Sequence, residues 1–377
     1  MKVEFYRHHL GDEEFAACKD TLQSAFLTSG PRTLEFEKQF SSYLGVRSTV
    51  GLTSCTAALF LALKALNVQP GDEVLVPAMT FIASANVVLH CGATPVLVDV
   101  ESDTGLIDVT LLESAITPRT KAIVAVHLYG HLVDMRALRT LADKHGLAIV
   151  EDAAHALESE RDGVRSGALG DAAAFSFYAT KNITCGEGGA LVSNRAEIAG
   201  RVRLLRQHGM SKSASERYDN QYQHWDMLEL GYKFNMFDIQ AALLIPQLQT
   251  IEMNWRRRES ICQFYQSEFT RAGIEFPVVR AGCKSARHLF TLWAPHGKRD
   301  ALLLELQRRE IGVAVNYRAI HLLSYFRERF GFKPGMFPHA ENIGDRTLTL
   351  PLYPKLSDTE VEYVARSVID SLKTLTA

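Results

Sequence analysis

From about residue 48 to residue 195, short apolar and β-branched runs alternate with amphipathic stretches. The runs Glu73–Pro77, Pro95–Val100, Ala122–His127, Ala148–Glu151, Ala172–Phe177 and Gly189–Val192 predict strands, and Ala57–Leu66, Asp108–Ala115 and Met135–His145 predict helices. Strand, helix, strand in repetition predicts an α/β fold: a mainly parallel sheet with helices on both faces. In such sheets ligands bind outside the carboxyl ends of the strands, so the chemistry is sought in the residues that follow each run.

After Asn194 the pattern changes. Ala196–His208 predicts a basic helix, and Met210–Leu230, polar and aromatic without a period, predicts a long loop. Phe237–Arg258 predicts a helix interrupted at Pro246. Beyond about residue 260 helices dominate, with strands expected near Leu289–Ala294 and Val313–Tyr317. The expected division is a large α/β domain over residues 1–250, N-terminal segment included, and a smaller α+β domain over 251–377.

The bulk numbers narrow the function by exclusion. With 41 basic and 43 acidic residues in 377, the formal charge is −2, and no basic field invites nucleic acid. The triplet Arg256-Arg257-Arg258 reads as a solvated helix face. The N-terminus lacks an apolar signal region and stretches such as Ala57–Leu63 are too short to span a membrane, so a cytoplasmic protein is expected. The cysteines at 18, 55, 91, 185, 262 and 283 show no C-x-x-C pair and no zinc spacing; reduced thiols are expected and no metal site. Cys55 and Cys185 read as small fillers beside tight turns.

Three segments then converge on strand ends. Leu147–His155 is an apolar strand closing on two acids, and Asp152 reads equally as the partner of a cationic ring nitrogen or as a cap on the following turn. Ala174–Lys181 is a strand leading to a lysine, followed by the glycine-rich turn Thr184–Gly189. A lysine shielded there has a lowered pKa and a nucleophilic amine, as Schiff-base chemistry requires. Gly51–Leu59 places Thr and Ser just before a helix, which is either a plain N-cap or a phosphate site. A phosphate cup, an acid and a lysine on one rim are what pyridoxal phosphate needs. Phe81 is a candidate to stack on its ring, or equally a core residue.

These motifs in this order resemble the DegT/StrS family of sugar-nucleotide aminotransferases, which have the aspartate-aminotransferase-like fold type I. The likeness spans nearly the whole chain, through Thr28–Pro31, Thr53–Thr56, Pro77–Ala83, His127–Gly130, Glu151–His155, Phe175–Phe177 with Lys181, Gly186–Gly189 and Gly231–Asn235. Lys181–Cys185, Tyr317–His321 and Tyr325–Phe330 carry a closer likeness to members that aminate a UDP-4-keto-pentose. The resemblance implies that Lys181 holds pyridoxal phosphate and shuttles protons, that Asp152 pairs with the ring nitrogen, and that His155 lies near the 3-hydroxyl. It implies that Ser54, Cys55, Thr56 and Ser176 border the phosphate, that Phe81 stacks on the ring, and that Asn235 reaches the phosphate of a second subunit in a homodimer. Tyr317 and His321 would lie near the sugar nucleotide, with L-glutamate as amine donor. Cys55 stands where many relatives have Gly or Ala, which leaves its side chain unexplained.

Rival readings are a dehydratase on the same fold, a cofactor-bound regulator and a transaminase of amino acids. The dehydratases carry histidine in place of the lysine, and no DNA-binding module supports a regulator. The nucleotide, C3 against C4 amination, the sugar and its destination stay open.

Overall fold

The structure, a computed structural model, describes residues 1–211 and 224–376. The first half of the chain runs α1 (Asp12–Leu22), α2 (Pro31–Leu44), β1 (Ser48–Leu52), α3 (Cys55–Ala65), β2 (Glu73–Pro77), α4 (Ala83–His90), β3 (Thr94–Val98), α5 (Val109–Ala115), β4 (Thr120–Val126), α6 (Met135–His145) and β5 (Ala148–Asp152). There follow β6 (Glu160–Arg161), β7 (Val164–Arg165), β8 (Ala172–Ser176), β9 (Gly189–Ser193), α7 (Ala196–Leu205) and α8 (Asp238–Arg271). The C-terminal part holds β10 (Cys283–Lys284), β11 (Phe290–Trp293), α9 (Arg299–Arg308), α10 (Ser324–Phe330), α11 (Pro338–Arg346), β12 (Thr347–Leu350) and α12 (Asp358–Thr376).

Among the described residues the main sheet has seven strands in the order β1-β9-β8-β5-β4-β2-β3. Its pairings are parallel from β3 through β8, whereas β9 runs antiparallel between β8 and β1. The strands read as continuous apolar runs because both faces are covered. Along β8, Ala172 and Ala174 join one core with α3 and α6, while Ala173 and Phe175 join another with Phe36 and Phe40 of α2 and Leu244 of α8. This alternation is the period of two that a strand imposes. A third core unites β11, β12, α9 and α12 with the end of α8, and Val3 from the N-terminal segment belongs to it through pairing with Ile311.

Several expectations are corrected. Pro246 does not interrupt its helix: α8 is continuous over 34 residues, because burial of Ala241, Leu244, Ile245, Leu248 and Ile251 outweighs the missing N–H. Helix α8, which spans residue 250, enters two cores. Arg258 is not on a solvated face; it is 2% exposed and paired with Glu158, because the helical period turns it inward. No strand forms over Val313–Tyr317 beyond a single pairing of Ala314 with Thr349. Of the loop expected over 210–230, residues 212–223 lie outside the described residues, and Met210 pairs with Met227. No helix of the described residues is long and apolar enough to cross a membrane.

One contact positions the site. Gly189 pairs with Leu52 on one side and Ser176 on the other, and the first turn of α3 lies against it. A Cβ at Gly189 would sit 2.3 Å from the Ser54 carbonyl carbon and 2.4 Å from the Cys55 nitrogen, both backbone atoms that cannot yield alone. Gly189→Ala is expected to destabilise the protein by about 1–3 kcal/mol and to weaken cofactor retention. Thermal denaturation and the bound cofactor per chain check this; a variant equal to wild type in both would show that α3 is free to shift.

Candidate functional site

Because β9 is antiparallel to its neighbours, its first residue lies on the same rim as the last residues of β1, β2, β4, β5 and β8. Above that rim is a cavity of about 590 Å³ whose lining includes Ser54, Phe81, Asp152, His155, Lys181 and Tyr317. All of these but Tyr317 meet there because each ends, or closely follows, a strand of one sheet; Tyr317 comes from the segment after α9.

At the first turn of α3, the Ser54 Oγ accepts from the Ala57 N–H at 3.0 Å, and the Ser54 carbonyl accepts the first helical bond from Ala58 at 3.1 Å. The Cys55 and Thr56 amides precede that bond, so helix geometry leaves them as donors at the positive end of the helix dipole. Thr56 and Ser176 both line the cavity. This is an anion cup of amides and hydroxyls. Cys55 itself is buried, with its Sγ 3.9 Å from Asp152 Oδ1, and burial pushes its thiol well above the usual range. It is a neutral filler there, and burial likewise pushes the Cys185 thiol up to about 12.

The two acids at the end of β5 part ways. Glu151 is fully buried and accepts from the Gly167 and Gly170 amides, each at 2.7 Å, with His127 Nε2 at 2.8 Å; it ties down the loop before β8. Asp152, one residue on, faces the opposite side and lines the cavity at 6% exposure. Its Oδ2 accepts from the Ser84 hydroxyl at 2.7 Å and its Oδ1 from the Ala154 amide at 3.2 Å. Ser84, at the start of α4, is a supporting residue that sequence reasoning missed, although the Met79–Ser84 segment ends on it.

Lys181 is half-buried, its backbone folded back on Tyr178, and its carbonyl accepts from the Tyr6 hydroxyl at 3.1 Å. Burial lowers its amine from 10.5 to about 8, with the Asp152 carboxylate opposing the shift. Its Nζ lies 3.2 Å from His288 Nε2. His155, 7% exposed, accepts the Tyr129 N–H on Nδ1 at 3.2 Å, so its proton sits on Nε2, 3.3 Å from the Tyr317 hydroxyl. Burial, reinforced by Lys181, holds His155 well below the usual histidine range and therefore neutral.

The aromatic candidates differ in placement. Phe81 is 52% exposed and faces the Tyr317 ring at 5.6 Å between centroids, so it is a wall of the cavity and not a core residue. His321 is not among the residues lining the cavity: it is fully buried, bonded to Glu341 at 2.8 Å and packed on Phe337. Asn235 also lies outside this chain's own cavity, donating to Ser29 Oγ at 2.9 Å. Besides Ser84, sequence reasoning missed Phe5 and His288, which line the cavity from the N-terminal segment and from just before β11.

The DegT/DnrJ/EryC1/StrS aminotransferase family matches the chain over residues 8–369. The chain is 43% identical over 371 residues to the spore coat polysaccharide biosynthesis protein SpsC of Bacillus subtilis (strain 168), covering 97% of this chain and 95% of SpsC. Its structure matches that of Spr1654 from Streptococcus pneumoniae in the PLP-form with a TM-score of 0.93 at 34% identity, covering 100% of both chains. It also matches PseC of Helicobacter pylori, an aminotransferase involved in the biosynthesis of pseudoaminic acid, with a TM-score of 0.91 at 30% identity over 99% of this chain and 100% of PseC.

The lowered amine of Lys181 has a consequence for stability. Below pH 8 the amine is charged both folded and unfolded, and folding bears the full desolvation cost; between about 8 and 10.5 the unfolded chain holds more protons, so stability gained by folding rises with pH. In cofactor-free protein Lys181→Met is expected to exceed wild type by roughly 3 kcal/mol below pH 8, the gap closing as the pH approaches 10.5. Denaturant titrations at several pH values check this; a gap independent of pH would mean the amine is not perturbed.

Proposed function

We propose, from the premise that the chain belongs to the DegT/DnrJ/EryC1/StrS aminotransferase family, that it moves the amine of L-glutamate onto a nucleotide-linked keto-sugar, and first of all a UDP-linked 4-keto sugar. That the protein is a pyridoxal-phosphate-dependent sugar aminotransferase follows from the family itself. The observation that carries the site assignment is the placement of an anion cup, a buried carboxylate and a low-pKa lysine around one cavity.

The residues present fit the cofactor. A dianionic phosphate matches the Cys55 and Thr56 amides and the hydroxyls of Ser54, Thr56 and Ser176. Asp152, held by Ser84 and Ala154, would keep the ring nitrogen protonated, and Phe81 would lie against a ring face. His155, a neutral donor through Nε2, would face the ring hydroxyl. Pyridoxal phosphate supplies, when bound, an aldehyde that exchanges amines and a conjugated ring that takes up the electron pair freed at the carbon losing its proton. Lys181 Nζ would hold the aldehyde between turnovers. Its amine, with a pKa lowered from 10.5 to about 8, has a free-base fraction at working pH that would take the proton from the amine-bearing carbon of glutamate and deliver one to the sugar carbon that receives the amine.

The sugar reading is supported by the cavity lining, where Phe81, Asn316 and Tyr317 offer ring, amide and hydroxyl groups suited to a sugar. The naming of SpsC for polysaccharide synthesis and of PseC for pseudoaminic acid points the same way. A homodimer is part of the proposal. Leu228 and Phe237, on either side of Asn235, are exposed, and Leu230 is 76% exposed; covering them with a second copy would bring Asn235 toward the partner's phosphate cup.

Protein loaded with pyridoxal phosphate is expected to lose its visible band on addition of glutamate, releasing 2-oxoglutarate. A panel of UDP-, dTDP- and GDP-linked keto-sugars should then restore the band, the UDP-linked 4-keto sugars fastest; restoration only by dTDP or GDP sugars would replace the nucleotide assignment. Lys181→Ala is expected to bind cofactor weakly and lose transfer by at least about 10³-fold, since it removes both holder and proton carrier. Asp152→Asn should fold normally and lose most activity. Retained turnover in Lys181→Ala, or near-normal rates in Asp152→Asn, would show that the corresponding residue is wrongly assigned.

A further inference from the structure

A line of buried and half-buried polar groups runs inward from Lys181, and the chemistry above uses only its outer end. Lys181 Nζ is 3.2 Å from His288 Nε2, and His288 Nδ1 is 3.2 Å from Asn182 Oδ1. Asn182 Nδ2 is 2.7 Å from Glu158 Oε2 and 3.0 Å from the Ala286 carbonyl. Glu158 Oε1 ends the line on Arg258 Nη2 at 2.5 Å, with both of these side chains buried.

The direction of each bond follows from the inner end. Arg258 keeps its charge at any working pH. Burial pushes the Glu158 carboxyl up, yet the carboxylate is the form that neutralises a buried guanidinium. A carboxylate and a backbone carbonyl only accept, so the Asn182 atom that faces both must be the NH₂ group. Its Oδ1 then faces His288 and receives, which places the imidazole proton on Nδ1 and leaves a lone pair on Nε2 toward the lysine.

We infer that His288 is a positioning residue for Lys181: its unprotonated Nε2 accepts a hydrogen bond from the amine, and Asn182, anchored on Glu158 and Ala286, fixes the tautomer that allows this. The inference rests on the reading that Lys181 is the working amine. The groups facing that amine are His288, the Cys55 thiol and the Asp152 carboxylate, and His155 packs on His288 with centroids 4.5 Å apart. Burial, reinforced by Lys181, His155 and Arg258, keeps His288 neutral, as the bond requires. The acceptor would hold the freed amine at one wall of the cavity during each exchange, when the lysine is not bonded to the cofactor.

The test follows the Lys181 amine in cofactor-free enzyme. Trace acetic anhydride is applied across a pH series, and the acetylated Lys181 peptide is quantified by mass spectrometry. The wild-type midpoint is expected at about 8. Losing the acceptor in His288→Phe should lower it by about one pH unit, and His288→Gln, which keeps an acceptor, should restore most of it. Asn182→Leu leaves the imidazole in place but frees its tautomer, and should also lower the midpoint. In loaded enzyme both His288→Phe and Asn182→Leu should lose about tenfold or more in kcat with KM for glutamate unchanged. A midpoint that moves in neither variant, or in His288→Phe alone, overturns the inference; should His288→Phe fail to fold, Asn182→Leu decides. Failure of the reading that Lys181 is the working amine is separate, since it would appear as turnover in Lys181→Ala whatever this titration gives.

Discussion

The site depends on the bare backbone of Gly189 lying against the first turn of α3. That contact joins three elements at one point: β9 itself, β1 through Leu52 and β8 through Ser176. It sets the open end of the α3 dipole at the rim, in the same cavity lining as Ser176. β8 is locked in turn to β5, so the same register delivers Asp152 one strand away and sends the chain after Ser176 toward Lys181. An added methyl group at residue 189 meets backbone and not a side-chain tip, so its effect would spread to all of these positions.

The buried charges show how the fold separates structural from chemical roles. Glu151 and Asp152 are adjacent, yet the pleat sends one into a closed set of donors and the other to the cavity wall. Arg258 and Glu158 form a buried pair that ties α8 to the turn after β5. Such a pair adds little net stability compared with apolar packing, but it gives a fixed electrostatic end to the polar line that reaches Lys181. Burial lowers that amine, and neutral histidines on two sides keep it from meeting a second cation.

Much of the framework was legible in the sequence. Six of the seven strands of the large sheet were found to within a few residues, β1 being missed, because fully buried strands are unbroken apolar runs, and the rule that ligands sit at the carboxyl ends of parallel strands led to Asp152 and Lys181. What was missed needed distance information. Nothing in the run Gly189–Val192 reveals that β9 is antiparallel. His288 is a single histidine before an apolar strand, 107 residues from Lys181, and Ser84 resembles any serine opening a helix. Arg258 looked solvated because a charge triplet hides which member faces inward, and Pro246 looked like a break because its cost is local while the packing that outweighs it is not. His321, matched by likeness alone, is held by its bond to Glu341 and does not line the cavity.

Trapping the cofactor on the chain tests the account most directly. Protein loaded with pyridoxal phosphate is reduced with borohydride, digested and mapped by mass spectrometry. The account predicts the pyridoxyl mass on the peptide carrying Lys181, and its loss when glutamate is added before reduction. The label on another lysine, or none at all, would contradict it.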